Sequence, residues 1–142
     1  MEIEGTLTRG LPLLLRYPVG WQDEIEKWNY PKLLVIVHEF SKVCQNGLPE
    51  ADYNDNLMQF DKMVREVFER RDIGRTVLIE TFGGKRRYYV YVVKDINVDE
   101  FLAEVSQTYP AERLTWIARH DPEWDFIARY RCEFRLEGST ET

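Results

Sequence analysis

His120, Asp121 and Glu123 stand close enough in the chain to suggest a metal site or an acid/base pair. Divalent cations take imidazole and carboxylate ligands, and a histidine beside a carboxylate can move protons. The spacing matches no established ligand motif, and each residue has a structural use. Asp121 caps a helix whose first position is Pro122, Glu123 sits in its first turn against the helix dipole, and His120 ends the preceding strand. No metal and no cofactor are expected.

His38 alternates with Ile36 and Phe40, so it reads as a packed histidine with a satisfied ring nitrogen. Cys44 and Cys132 have no CxxC spacing, and neither a nucleophile elbow nor a cysteine-protease signature surrounds them. They read as buried thiols in a reducing compartment. An enzyme or small-ligand binder would need folding to gather His38, His120 or a cysteine into one pocket.

Lys85-Arg86-Arg87 followed by Tyr88, Tyr89 and Tyr91 invites an RNA reading, because RNA-recognition motifs stack bases on aromatic residues of their third strand. Here Arg87 replaces the glycine expected after the basic residue, and Tyr89 replaces the small residue between the aromatics. The 142-residue chain also carries 19 Lys and Arg against 25 Asp and Glu, a formal charge of -6. Nucleic-acid affinity draws on an excess of basic residues that displace counterions, so this balance argues against a nucleic-acid partner.

The elements that must position these groups follow from periodicity and turn chemistry. Glu2 to Thr8 and Leu11 to Tyr17 read as strands around Arg9-Gly10, with Pro12 confined to an edge or a strand end. Pro18 to Pro31 reads as a packed loop. Leu33 to Val37 is an unbroken apolar run, as in a central strand covered on both faces. Asn46-Gly47-Leu48-Pro49 marks a turn, after which Leu57, Phe60, Val64, Val67 and Phe68 recur at helical spacing, with Gly74 as the stop. Gly83-Gly84 joins Thr76–Phe82 to Arg86–Lys94 as a hairpin. Its register sets Glu80 opposite Arg87, Leu78 opposite Tyr89 and Thr76 opposite Tyr91 on one face, with Ile79 opposite Tyr88 and Val77 opposite Val90 on the other. The Glu80 and Arg87 pair is worth only about 0.2–1 kcal/mol at a partly solvated position. Asn97 caps the next helix with Glu100 three residues on, and Val98, Phe101, Leu102 and Val105 form its buried stripe. Pro110 ends it, and Leu114, Trp116 and Ala118 alternate through the last strand.

Strand, helix, strand, strand, helix, strand in that order is the pattern of a ferredoxin-like βαββαβ sandwich. The expected architecture is therefore α+β: an antiparallel sheet with that core, an N-terminal hairpin extension and a C-terminal helix. Hydrophobic residues at 44% suit a folded globular chain. One domain is expected over 1–137, with a mobile tail at 138–142. No apolar run has the length of a membrane span, and Met1-Glu2-Ile3-Glu4 lacks the features of a secretion signal, so a cytoplasmic location is expected.

His120-Asp121-Pro122-Glu123-Trp124, the hairpin return Gly84-Lys85-Arg86-Arg87-Tyr88-Tyr89-Val90-Tyr91, and Tyr30-Pro31 ahead of the central strand together resemble a bacterial family of domains of unknown function. That family is itself similar to the ribonuclease E inhibitor proteins called regulator of ribonuclease activity B. The resemblance spans about Gly5 to Phe134. It implies the same ferredoxin-like sandwich and, for the inhibitor relatives, a protein contact that restrains an RNA-degrading enzyme. The acidic stretches of the inhibitor branch are not evident here, and no functional residues carry over.

Leu78, Tyr89, Tyr91 and Val93 put apolar and aromatic groups on the hairpin face that a two-layer sandwich leaves uncovered. Either the N-terminal hairpin and the final helix cover this face or it stays partly open; an open aromatic face is a protein-docking surface, and on that reading Leu78, Arg87, Tyr89 and Tyr91, with Trp21 and Trp124 as further anchors, form the expected interaction surface. The expected function is a non-catalytic binding or regulatory module acting through a protein partner. A ligand pocket around His38 or His120, and RNA binding, are the alternatives.

Overall fold

The computed structural model describes residues 2–7, 11–17 and 27–134. Its elements are β1 (Glu2–Leu7), β2 (Leu11–Arg16), β3 (Lys32–Glu39), α1 (Ala51–Asn56), α2 (Met58–Glu66), β4 (Gly74–Phe82), β5 (Lys85–Val92), α3 (Val98–Thr108), β6 (Arg113–His120) and α4 (Asp125–Phe134). The six strands form one sheet in the order β1-β2-β4-β5-β3-β6, antiparallel at every neighbouring pair. The expected α+β antiparallel architecture is thus observed. The N-terminal hairpin lengthens the sheet through β2, which pairs Leu14, Leu15 and Arg16 with Thr81, Glu80 and Ile79 of β4. Pro12 falls outside that paired stretch and lies opposite Thr6 of β1.

Two cores sandwich the sheet. On one face, Leu34, Ile36, Tyr88 and Val90 pack against Phe60 and Val64 of α2 and Val98, Leu102 and Val105 of α3. On the other, Leu33, Leu78 and Tyr91 pack against Trp124, Ile127 and Tyr130 of the α4 segment. Helices therefore lie on both faces, because the strands carry apolar residues on both. Full burial of each such side chain is worth about 1.5–3 kcal/mol. No helix among the described residues is long and apolar enough to cross a membrane.

The glycine turn forms as expected, with φ of 62° at Gly83 and 84° at Gly84, and it pairs Glu80 with Arg87, Ile79 with Tyr88 and Leu78 with Tyr89. Beyond Leu78 the register differs. A bulge intervenes, so Val90 faces Thr76 and Tyr91 faces Arg75. The extra residue turns Val77 to the α4 side beside Leu78, and Thr76 instead points its hydroxyl at the Arg65 carbonyl, 3.1 Å away.

The expected single helix before β4 is interrupted at Leu57 and ends at Glu66. Asp72 (φ 56°), rather than Gly74, takes the left-handed conformation there. Gly74 begins β4 instead, and a Cβ on it would lie 2.9 Å from Val92 Cγ1 and 3.0 Å from Phe68 Cβ, so close packing requires the glycine. Asn97 caps α3 as expected, its side-chain oxygen accepting the Glu100 amide at 3.2 Å.

Candidate functional site

The aromatic hairpin face is closed. Leu78, Tyr91 and Trp124 are 0%, 0% and 1% exposed, and Tyr89 is 9% exposed. The expectation that these four form a docking surface is therefore corrected: they are core residues. The cause is α4, which lays Trp124 flat on Tyr91 at 4.3 Å and 11°, and Phe126 on Tyr89 at 4.7 Å and 18°. Arg87 stays half-buried, with its guanidinium 3.5 Å from Glu80, and the Tyr130 hydroxyl donates to the other Glu80 oxygen at 2.9 Å. Trp21 lies outside the described residues. With their rings enclosed, Tyr89 and Tyr91 offer no platform for stacking bases.

The residues 120–124 build the lid rather than a catalytic centre. Asp121 accepts the Tyr91 hydroxyl at 2.6 Å and the amides of Asp125 and Phe126 at 3.0 and 3.1 Å, so its carboxylate is spent on capping. The helix begins at Asp125, later than the expected Pro122, because Trp124 has φ of 58° and breaks the helical path. That turn points the indole inward, where its Nε1 donates to the Tyr30 carbonyl at 2.9 Å. Burial, reinforced by the Asp121 carboxylate, pushes the Tyr91 hydroxyl far above its ordinary range, so it remains a donor. Among the described residues no group of three or more His, Cys, Asp or Glu could hold a metal.

Under the other helices lies a polar network that sequence reading missed. Asp61 on α2 accepts both terminal nitrogens of Arg16 at 3.0 and 2.9 Å, Arg65 Nε at 3.0 Å, Arg86 Nη1 at 3.4 Å and the Tyr88 hydroxyl at 2.6 Å. Burial alone would raise its pKa, but the Arg16 bonds and charge, with help from Tyr88 and Arg86, prevail and bring it down to about 2. A carboxylate so fully donated to is an anchor, not a base. The only local sequence signal was the i, i+4 pair Asp61 and Arg65.

His38 is opposite Arg86 across β3 and β5 and fully enclosed between the rings of Phe40 and Phe60. Its Nε2 meets Glu112 at 2.8 Å, as the satisfied nitrogen expected, while Nδ1 is buried without a partner among the described residues. The same Glu112 oxygen accepts the Tyr53 hydroxyl at 2.7 Å, tying α1 to the turn before β6. Burial lowers the His38 pKa more strongly than Glu112 raises it, so the ring is held neutral. His120 is exposed and pairs with Lys32 at the far end of the strands, so the structure does not bring the two histidines together. Cys44 and Cys132, expected buried, are exposed free thiols, because one sits in the 41–50 loop and the other on the outer side of α4.

β6 lies at one edge of the sheet. It pairs with β3 along Arg113 to His120, and among the described residues no strand pairs with its outer edge. Ile117 is 70% exposed and Trp116 37%, with Arg113 and Arg119 also exposed. Ile117 faces half-buried Val35 across the ladder, so an apolar strip continues from the edge onto the sheet. Trp116 is held on the opposite side by a bond from its Nε1 to Asp99 at 2.9 Å. Sequence alternation put Leu114, Trp116 and Ala118 on one side of the strand; Leu114 and Ala118 pack against the core, while Trp116 sits at its margin against Asp99 of α3.

Searches of curated proteins and of solved structures find no match to this chain. Residues 8–130 match the family of unknown function DUF695, and with most of its length so matched the chain belongs to that family.

Proposed function

We propose that the chain is a non-catalytic binding module that takes an extended segment of a partner protein along the outer edge of β6. The carrying observation is an eight-residue strand that, among the described residues, is bonded on one side only and bears exposed Ile117. An edge strand of this kind supplies main-chain donors and acceptors for an added strand, while side chains on alternate positions choose the sequence. Arg113 and Arg119 flank the apolar centre, so the segment that fits has an apolar middle and acidic ends. Those arginines also oppose unguided edge pairing between copies, as charges on edges do. The core β3 to β6, with β5 between β3 and β4 and both crossovers on one face, supports a ferredoxin-like assignment.

Peptides displayed on phage test this reading. Enrichment of segments with apolar centres and acidic ends, protection of those β6 amides not bonded to β3, and loss of binding in Ile117→Lys are the expected results. Binding that survives Ile117→Lys, or peptides that protect no β6 amide, would refute it. The Ile117→Lys urea midpoint should match wild type, because this side chain is exposed.

A further inference from the structure

A pocket of about 150 Å³ opens between β2, the junction of α1 and α2, and β4. Arg16, Asn54, Asp61, Thr81 and Arg86 form its polar wall, and Leu14, Leu57 and Met58 its apolar one. Such a space holds several waters or a small ligand.

Arg16, Arg65 and Arg86 all bond one carboxylate, Asp61, and Arg86 lines the pocket beside it. Asp61 already accepts five hydrogen bonds and has no capacity left for a ligand donor. Arg86 is 8% exposed, spends Nε on Thr81 at 2.9 Å and Nη1 on Asp61, and has no hydrogen bond from Nη2 among the described residues. Its guanidinium is fixed over the Phe40 ring at 5.3 Å. A preoriented guanidinium with unused donors is complementary to an oxyanion. The apolar wall adds a requirement that bare phosphate does not meet.

We propose that this pocket binds a short-chain carboxylate, its oxygens on Arg86 and its hydrocarbon part against Leu14, Leu57 and Met58. The site is separate from the β6 edge, and its test does not depend on a protein partner.

Sodium butyrate is the probe, titrated into the full chain while the Arg86 Nε–Hε signal is followed by NMR, with sodium chloride at matched ionic strength and sodium phosphate as parallel arms. A saturable shift with butyrate and none with chloride is expected, with affinity about tenfold weaker in Arg86→Lys because lysine lacks the Nη2 donors. No saturable shift with butyrate in the wild-type protein would overturn the proposal without any variant. Phosphate saturating more tightly than butyrate, or butyrate affinity unchanged in a folded Arg86→Lys chain, would overturn the carboxylate assignment.

Discussion

The Tyr91 hydroxyl lies 2.6 Å from the Asp121 carboxylate, and this one bond joins the centre of the sheet to the turn that launches α4. Asp121 simultaneously caps the amides of Asp125 and Phe126, so sheet, turn and helix share a single buried anion. The face that could have served docking is consumed by this arrangement. Tyr91→Phe should cost about 1.5–3 kcal/mol, the worth of a hydrogen bond to a charged group. Trp124→Ala should cost about 3–5 kcal/mol, since it also removes a buried ring. Urea unfolding monitored by circular dichroism checks both, and equal losses would contradict the assignment.

Asp61→Asn should destabilise the fold by about 3–5 kcal/mol, because it leaves the arginines around it without their counter-charge. The acid limb provides a second check. Asp61 has a pKa of about 2 when folded against 3.8 ordinarily, so the unfolded chain takes up its proton first as pH falls. Its contribution is complete above pH 3.8 and is lost as pH falls through about 2. Denaturant midpoints measured across that range should fall more steeply in wild type than in Asp61→Asn.

His38 imposes a different window. Its folded pKa lies below the ordinary 6.5, so between the two values the unfolded chain binds the extra proton and stability rises with pH. The contribution is full above pH 6.5 and is lost as pH falls through the depressed value. Glu112, Arg86 and Asp61 are the charged groups acting on the ring, and Tyr53 shares its Glu112 partner. His38→Gln should cost about 1–3 kcal/mol and abolish this slope. An unchanged slope in urea midpoints between pH 5 and 7, roughly the span around an ordinary histidine, would place its origin elsewhere.

Two glycines should fail for different reasons. At Gly74 an added Cβ meets Val92, Phe68 and the Tyr91 carbonyl within 3.1 Å, so Gly74→Ala should cost about 1–3 kcal/mol through overpacking. At Gly83 nothing lies within 4 Å of the added atom, but φ is 62°, so Gly83→Ala should cost about 1–2 kcal/mol through backbone strain alone. Asparagine tolerates that conformation. Gly83→Asn should therefore regain stability, whereas Gly74→Asn should be worse than alanine.

Local chemistry in the sequence determined much of this molecule. The apolar run Leu33 to Val37 became β3, the Gly83-Gly84 pair set the register near its turn, and Asn97 capped α3, because periodicity, positive φ and side-chain capping act within a few residues. Tertiary structure decided the rest. Arg16 reaches Asp61 across 45 positions, and Tyr91 reaches Asp121 across 30, distances over which no pattern in the chain specifies a partner. The bulge that turned Val77 over, and the placing of α4 on the tyrosines, likewise followed from fitting two cores to one sheet. Aromatic residues on a strand require cover, and the packed fold supplies it from α4 of the same chain, while among the described residues no strand pairs with the outer edge of β6.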